Sequence, residues 1–463
     1  MGSRKKQRGK GFKYFVAVLL GALVLGAVVW LGISGFEGGE PVIRLELKDK
    51  YISAQEQIDA GVRDKKSGIS RIRATIVQGE SKNVLVDEQY EKGTASKEGD
   101  EQGITLKIDA RELELSEGKA VLLIEAWDHS WRNRFSGNKA YLEEELVVDT
   151  TPPNVEVLTK QHNLTQGGAG LIIYRLSEDC SRHGVSVDGH FFPGHSGYFD
   201  DSDICMAFFG IAHDQETDVD MQVEAEDRAG NTGRSGFSSY LRARNFKAET
   251  LQITGRFLNN ILPEFRNTEG FPLDESAVNQ FLFVNREVRR KNNETILSVA
   301  KETESSKHWN GKFVRLPNAA HMAGFADRRT YEHEGKEIDR QVHMGIDLAS
   351  VRQAPVPAAN GGRVVFVGRL GIYGNVVIID HGFGLFSVYA HLSRSDVSEG
   401  DLVEKTDIIG ATGTTGLAGG DHLHYGMFIN DIFVNPVEWW DAAWIKNNVT
   451  QKLEDVKELA EDR

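Results

Sequence analysis

Five side chains in the last third of the sequence are of the types that bind zinc or transfer protons. They lie in three short segments, VHMGIDLAS, SVYAHLS and DHLHYGM, and are His343, Asp347, His391, His422 and His424. Imidazole and carboxylate are common zinc ligands, and a catalytic zinc site uses three of them and keeps one position for water. Zinc can lower the pKa of that water to about 7, which provides a nucleophile at neutral pH. Three of the five could thus hold one zinc ion per chain, and two remain for proton transfer and charge stabilisation.

These side chains need extended segments to bring them together. Side chains alternate between the two faces of a strand, so residues two or four apart point the same way. The spacing of His343 and Asp347 fits one face of an extended segment, and so does the spacing of His422 and His424. His391 lies in a third, apolar segment. We expect three short strands to direct all five side chains into one groove.

The surrounding sequence resembles the lysostaphin/LytM-type zinc metallopeptidases, which cut peptide bonds in bacterial cell-wall peptidoglycan. The resemblance covers about residues 340–440 and rests on HMGIDLAS, PVPAANGGRVVFVG, YGNVVIIDHGFGLFSVYAHLS, GDLVEKTDIIGATGTTG and GGDHLHYGMFINDIFVNPVEW. It implies an antiparallel β domain with a groove walled by loops. It also implies that zinc is bound by His343, Asp347 and His424. The catalytic pair that it implies, His391 and His422, would position water and stabilise the tetrahedral intermediate.

Other function classes remain open. Some members of that family have lost zinc ligands and activate other wall hydrolases, so the alternative is a catalytically silent wall-binding protein or activator with the same fold. A structural adhesion protein with a vestigial domain is a third class. Because all five positions are intact in this sequence, an active zinc metalloendopeptidase is the favoured interpretation.

A basic segment and a long apolar run precede the rest of the chain. Residues 1–13 are rich in Lys and Arg, and Tyr14–Ile33 contains no charged side chain. A helix of roughly 20 apolar residues spans a bilayer core, and basic residues stay in the cytoplasm. The pattern predicts a single-pass transmembrane helix in the bacterial cytoplasmic (inner) membrane, with the catalytic domain outside the cytoplasm, in the periplasm. A cleaved signal peptide, whose apolar core is roughly 7–15 residues long, is the alternative.

Length and charge limit the class of protein. At roughly 150 residues per domain, 463 residues predict about three domains. The formal net charge of −14 argues against a nucleic-acid partner, which would need a basic face. The partners that we expect are peptidoglycan and the membrane, with wall-synthesis or division proteins as further candidates.

The middle of the chain is predicted to hold two similar β modules. VLLIEAWDHSWRNR and DMQVEAEDRAGNTGR each contain an alternating strand, then Glu-Ala-x-Asp and an Asn-containing turn. Ala126 and Ala225, the alanines of the two motifs, are 99 positions apart, about the size of one immunoglobulin (Ig) domain. Residues 40–150 and 151–244 therefore resemble bacterial Ig-like modules. A β region without a repeat is the alternative.

The remaining segments complete a mainly β fold. From Val278 onward, apolar residues recur on one helical face behind Asp274, a predicted N-cap, so residues 245–303 read as a helical connector. Residues 304–440 would form the antiparallel β metallopeptidase domain. Residues 441–463 would form a charged C-terminal helix or tail.

Two questions stay open in the sequence. In an exported protein Cys180 and Cys205 could oxidise, and a disulfide is favoured over free thiols or a metal site. The segment 309–341, which leads into the first candidate ligand, is either a solvated hairpin beside the groove or a lid. A lid would place a ligand from this segment in the open zinc position, with three candidates: Asn318, His333 and Glu334. The solvated hairpin is the favoured interpretation.

Overall fold

The computed structural model describes residues 8–91 and 101–461 of the chain. Strands predominate in these residues, so the mainly β fold predicted from the sequence is confirmed. Residues 1–7 of the predicted basic segment and residues 462–463 of the predicted tail lie outside the described residues.

The chain divides into two compact units, each with its own hydrophobic core. Unit 1 comprises residues 1–152 with the short segment 228–231, and unit 2 comprises residues 153–227 and 232–463. The domain boundaries drawn from the sequence stay predictions, and so does the Ig-like character of the two modules.

Unit 1 contains a long apolar helix, α1 (Arg8–Gly35). Its stretch Phe12–Trp30 has a mean hydropathy of 2.3, and none of this stretch is buried. At 1.5 Å per residue, these 19 residues extend about 28 Å, close to the roughly 30 Å of a bilayer core. The helix is therefore long and apolar enough to cross a membrane, a test that a signal sequence also passes.

Two sheets enclose the core of unit 1. The strands are β1 (Val42–Glu46), β2 (Tyr51–Ile52), β3 (Gln55–Arg63), β4 (Ile69–Gln78), β5 (Ser81–Gln89), β6 (Glu101–Asp109), β7 (Gly118–Asp128) and β8 (Lys139–Val148). One sheet has the order β1-β3-β6, the other β2-β8-β7-β4-β5, and a single turn, α2 (Arg132–Phe135), follows β7. Alternate residues are buried along β7, including Leu122, Ile124 and Ala126. This alternation is expected of sheets with one solvated face.

Unit 2 begins with a second group of strands. They are β9 (Val155–Val157), β10 (His162–Thr165), β11 (Ala169–Leu176), β12 (Arg182–Val187), β13 (His190–Pro193), β14 (Ile204–Gly210), β15 (Met221–Glu226), β16 (Thr232–Gly236) and β17 (Ser239–Arg242). Their sheets have the orders β14-β11-β9 and β13-β12-β15-β16, and β10 pairs with β17 in parallel.

The disulfide favoured by the sequence is not formed, because Cys180 and Cys205 are both free thiols. Cys205 is buried on β14 opposite Tyr174 of β11, and Cys180 is half-buried in the loop before β12. Burial, reinforced by nearby carboxylates, raises the pKa of each thiol to about 12. Since the thiolate is the reactive form, both stay inert at neutral pH. Among the described residues, neither cysteine belongs to a cluster of metal-ligand type.

A strand and three helices follow. They are β18 (Ala248–Gln252), α3 (Gly255–Ile261), α4 (Ala277–Phe283) and α5 (Arg289–Ser298), with a π-helical turn at Val284–Val288 and 3-10 turns at Leu262–Phe265 and Val299–Lys301. The predicted cap of α4 is wrong: Ser276, and not Asp274, accepts the N–H of Asn279 at 3.2 Å. Ser276 is the residue directly before the helix, where a side-chain oxygen reaches the first free N–H groups.

The last part of unit 2 is built on one large sheet. Its strands and those of two small sheets are β19 (Ala320–Ala323), β20 (Arg328–His333), β21 (Lys336–Val342), β22 (Ile346–Ala349), β23 (Pro355–Pro357), β24 (Gly362–Leu370), β25 (Gly374–Asp380), β26 (Leu385–Leu392), β27 (Arg394–Ser395), β28 (Leu402–Val403), β29 (Ile408–Ala411), β30 (Leu423–Ile429) and β31 (Ile432–Val434). The large sheet has the order β19-β22-β30-β26-β25-β24-β28, and β31 pairs with β30. The small sheets are β18-β20-β21 and β23-β29-β27.

The centre of the large sheet is buried on both faces. All residues of β26 and β30 are buried, which explains why SVYAHL and LHYGMFI read as nearly continuous apolar runs. The chain of unit 2 ends in three short helices that join its hydrophobic core, with a π-helical turn at Lys446–Thr450. They are α6 (Pro436–Trp440), α7 (Ala442–Ile445) and α8 (Gln451–Glu461).

Candidate metal centre and groove

Three adjacent strands of the large sheet carry the candidate site. Asp347 on β22 lies opposite His424 on β30, and β30 also pairs with β26, near whose end His391 lies. His343 comes just before β22, and His422 comes just before β30. The five residues selected from the sequence are therefore brought together at one end of three neighbouring strands.

Three side-chain atoms form a triangle of equal sides. His343 Nε2, Asp347 Oδ1 and His424 Nδ1 lie 3.0 Å from one another. Ligand atoms of a tetrahedral zinc ion at about 2.0–2.1 Å lie about 3.3 Å apart, so a small cation fits beside this triangle with little movement. Two imidazoles and a carboxylate are also the ligand types of catalytic zinc sites. The donor set therefore fits zinc.

Hydrogen bonds outside the triangle fix the orientation of two of these ligands. His343 Nδ1 lies 2.8 Å from the carbonyl oxygen of Gly324, which directs Nε2 into the triangle. The other carboxylate oxygen of Asp347, Oδ2, accepts a hydrogen bond from Arg329 Nη2 at 3.2 Å. Arg329 also donates from Nε to Glu249 Oε1 at 2.9 Å. Such outer contacts hold a metal ligand in place and tune its affinity.

Sequence reasoning did not single out Arg329 or Glu249. Arg329 is on β20 and Glu249 is on β18, far from the ligands in sequence, and β18 pairs with β20 in parallel. The only local signal was an arginine in the charged segment DRRTYEHEGKEIDRQ, where it could not be told from exposed neighbours.

The other two histidines form a pair beside the triangle. The rings of His391 and His422 lie 4.7 Å apart, and the ring of His391 lies 5.8 Å from that of His424. The Nδ1 atoms of the pair lie 2.8 Å from the carbonyl oxygens of Thr415 and Gly420, respectively. These contacts leave the Nε2 atoms for the groove, and His422 Nε2 lies 3.6 Å from Asp347 Oδ1.

The electrostatics of the cluster favour neutral His391 and His424 side chains beside an ionised Asp347. Burial lowers the pKa of His424 to about 4 and that of His391 well below its usual range. Burial alone would raise the pKa of Asp347, but the surrounding histidines hold it well below its usual range. Burial opposes protonation of His422 as well, but its contact with Asp347 raises its pKa. Metal ligation and proton acceptance both require a neutral imidazole.

All five residues line one cavity of about 320 Å³. The other lining residues come from β18, β20, the three helices and the loops beside the ligands: Leu251, Gln252, Ile253, Phe257, Phe281, Arg289, Arg329, Tyr331, Met344, Ile372, Tyr373, Leu417 and Gly419. The segment predicted to be a connector thus forms one wall of the cavity.

The segment 309–341 contributes to this wall, while His333 and Glu334, two of its candidate ligands, lie outside the metal-ligand cluster. Tyr331 of β20 is buried and lines the cavity. His333 bonds through Nδ1 to the carbonyl oxygen of Ile253, and Glu334 is exposed at the tip of the β20–β21 hairpin. Among the described residues, the cluster of metal-ligand type at this site contains no residue of the segment.

The region that carries this geometry matches a known family. The model of peptidase family M23 matches residues 341–436. The chain carries a peptidase family M23 domain. The resemblance inferred from the sequence is thereby confirmed. Members of this family are zinc metallopeptidases, in agreement with the ligand types found here.

Curated relatives match a short part of the chain. The DD-carboxypeptidase/endopeptidase Mpg of Neisseria meningitidis serogroup B is 45% identical over 97 residues, which cover 21% of this chain and 22% of that protein. The peptidoglycan DD-endopeptidase ShyA of Vibrio cholerae serotype O1 is 35% identical over 96 residues, which cover 21% and 22%. The chain thus spans about a fifth of the length of the curated relatives it matches.

A solved structure is similar to about a quarter of this chain. The catalytic domain of lysostaphin from Staphylococcus simulans is 28% identical, with a TM-score of 0.24, and the match covers 27% of this chain and 94% of that chain. Because this TM-score is low, the M23 domain is assigned from the match of its sequence to the family model and not from the structural similarity.

Proposed function

We propose that this protein is a membrane-anchored zinc metalloendopeptidase that hydrolyses peptide bonds in bacterial cell-wall peptidoglycan. The observation that carries the proposal is the triangle of ligand atoms, 3.0 Å on each side, beside two further histidines on one cavity of an M23 domain. The peptidoglycan substrate is inferred from the activities named for the relatives.

In this proposal His343, Asp347 and His424 hold one zinc ion. Bound zinc supplies a Lewis acid that polarises the scissile carbonyl and activates water. Arg329 keeps the Asp347 carboxylate turned so that a single oxygen, Oδ1, faces the metal position.

The proposed catalytic residues are His391 and His422, which act on the substrate side of the groove. The Nε2 atom of each lies on the side opposite its backbone contact, where it can accept a proton from water or donate one to the developing oxyanion.

The location is part of the proposal. The apolar helix α1 would anchor the chain in the cytoplasmic membrane, and the M23 domain would lie in the periplasm, where peptidoglycan is accessible. In the chain, the strands β1–β8 of unit 1 follow the anchor helix and precede unit 2, which carries the M23 domain.

The test is digestion of purified peptidoglycan by the zinc-loaded full chain in detergent, with the products identified by mass. We expect soluble fragments in which a peptide cross-link has gained one water, and no fragments with Asp347→Ala. Intact peptidoglycan after treatment with fully zinc-loaded protein would contradict the proposal and favour the silent activator.

A further inference from the structure

An arginine of the helical segment lies in the wall of the cavity. Arg289 is the first residue of α5, is half-buried, and lines the same cavity as the five site residues. Its helix is fixed to the turn beside the ligands through Asn292 and Asn293. Asn292 Oδ1 accepts the N–H of Ile372 at 2.8 Å, and Asn293 Oδ1 accepts the hydroxyl of Tyr373 at 2.8 Å.

These contacts place Arg289 on the side of the helix that faces the metal ligands. Residues three and four apart share one face of a helix, so Arg289 lies on the same face as Asn292 and Asn293. The ring of Tyr373 is in turn 5.4 Å from the ring of His424. Tyr373 thus connects the helix that carries Arg289 to the ligand cluster.

A buried network holds the guanidinium in place. Arg289 donates from Nε to the backbone oxygen of Asn285 at 3.1 Å and from Nη2 to Asn285 Oδ1 at 2.6 Å. Asn285 is fully buried, and its Nδ2 donates to Asp339 Oδ2 at 2.8 Å. The arginine is therefore pre-oriented, and its described hydrogen bonds leave Nη1 unused.

The charge of Arg289 is unmatched, in contrast to that of the other arginine in the cavity. Arg329 forms ion pairs with Glu249 and Asp347. Within the described residues no ion pair of Arg289 with a carboxylate is found, although the chain has a net charge of −14. A half-buried, oriented and unpaired guanidinium in a cavity is suited to bind an anionic group of a ligand.

We propose that Arg289 binds a free carboxylate of the peptide substrate and so determines which wall peptides the site accepts. This proposal rests on the proposed peptidase function. The carboxylate can be the C-terminal one of a stem peptide or a side-chain one within it. Both offer the same planar anion to an N–H of the guanidinium.

The test compares three synthetic forms of a cross-linked wall peptide, because the proposed endopeptidase cuts the cross-link. They are the free acid, the C-terminal amide, and the form whose side-chain carboxylates are amidated. The full zinc-loaded chain and its Arg289→Ala and Arg289→Lys variants are assayed for kcat/KM on each. Zinc content and Tm are measured in parallel to detect misfolding.

We expect Arg289→Ala to reduce kcat/KM on the free acid by about 10- to 100-fold, the range for a hydrogen bond to a charged group. One of the two amidated forms should already be cleaved slowly by the wild type and be insensitive to the substitution, and it identifies the carboxylate. The kcat/KM of Arg289→Lys on the free acid should lie between those of the wild type and Arg289→Ala, because lysine keeps the positive charge. The matched control is Arg290→Ala, because Arg290 is exposed and paired with Glu287 and Glu294.

Equal losses on all three peptides, or no loss on any, would overturn the role of Arg289 while leaving the peptidase function intact. If the zinc-loaded wild type cleaved neither the three peptides nor peptidoglycan itself, the result would instead overturn the proposed peptidase function, on which the role of Arg289 rests.

Discussion

Arg329 Nη2 donates to Asp347 Oδ2 at 3.2 Å, while the other oxygen of the same carboxylate lies 3.0 Å from nitrogen atoms of His343 and His424. One oxygen of the proposed zinc ligand is thus occupied by an arginine that is itself held by Glu249. The ligand geometry depends on β18 and β20, which lie outside the segment matched to the M23 family.

Substitution of Arg329 should therefore weaken zinc binding. Outer contacts of metal ligands are worth roughly 10- to 100-fold in affinity, and we expect a loss in this range for Arg329→Ala. The zinc dissociation constant is measured by competition with a chelator, and the neighbouring exposed residue supplies the control, Arg328→Ala. An unchanged dissociation constant in Arg329→Ala would show that Asp347 needs no such support.

The two remaining histidines should be required for turnover and dispensable for the metal. We predict that His391→Ala and His422→Ala each retain zinc and lose about 10²- to 10⁴-fold in kcat, the usual range for acid–base and electrostatic roles. Zinc content and kcat on a wall peptide are measured together. The control is His321→Ala, because His321 is an exposed histidine. If either variant lost zinc while His424→Ala kept it, the two roles would be reversed.

A buried histidine outside the cavity should give unit 2 a pH-dependent stability. His381 is fully buried between the carbonyl oxygen of Gly361 and the hydroxyl of Ser387, and burial lowers its pKa to about 4. In the unfolded chain the pKa is about 6.5, so between these values the unfolded chain binds a proton that the folded chain does not. The stabilisation is complete above about pH 6.5 and is lost as the pH falls toward 4, by about 3 kcal/mol.

The variant His381→Asn, which cannot titrate, should show a weaker dependence of the free energy of unfolding on pH. The change in slope should correspond to about one proton. Unfolding of metal-free protein by urea at several pH values between 4 and 7 measures it, and the comparison with wild type isolates His381 from His162 and His195, whose pKa values burial also lowers to about 4. Equal slopes for wild type and variant would mean that His381 is protonated in the folded state.

The location can be tested by a reporter fused after Glu461. We predict activity of a reporter that works only outside the cytoplasm, and retention of the fusion in the membrane fraction, because α1 is long enough to span the bilayer. Release of a soluble product whose first residue lies near Gly38 would show instead that the apolar segment is cleaved.

The sequence grouped the candidate site residues, which the structure brings together, because most of them lie within or beside a strand whose period is two. His343, Asp347, His422 and His424 could be grouped from spacing alone, and the register of β22 with β30 agrees with that reasoning. The backbone of His391 departs from it. Cross-strand partners share a face, and Ala390 is the partner of His424, so a regular strand would direct His391 away from the ligands.

Local backbone geometry resolves this difference. His391 has φ of +61°, in the left-handed region that residues other than glycine rarely adopt. This break in the pleat accompanies a ring 5.8 Å from that of His424. Such an exception is common at functional sites and leaves no trace in hydrophobic periodicity.

Contacts that are distant in sequence could not be predicted. The parallel pairing of β18 with β20 joins residues 80 positions apart, such as Glu249 and Arg329. This pairing makes the helical segment a wall of the cavity, and no local pattern indicates it. The same limit applies to the cysteines, where compartment and number suggested a bond that the fold does not form.

The most direct measurement is the zinc content of the purified full chain and of its Asp347→Ala variant, by elemental analysis after removal of loosely bound metal. We predict about one zinc ion per wild-type chain and a large loss in the variant, because the substitution removes one of three ligands in the 3.0 Å triangle. Equal zinc in both proteins, or none in the wild type at neutral pH, would contradict the zinc-peptidase function.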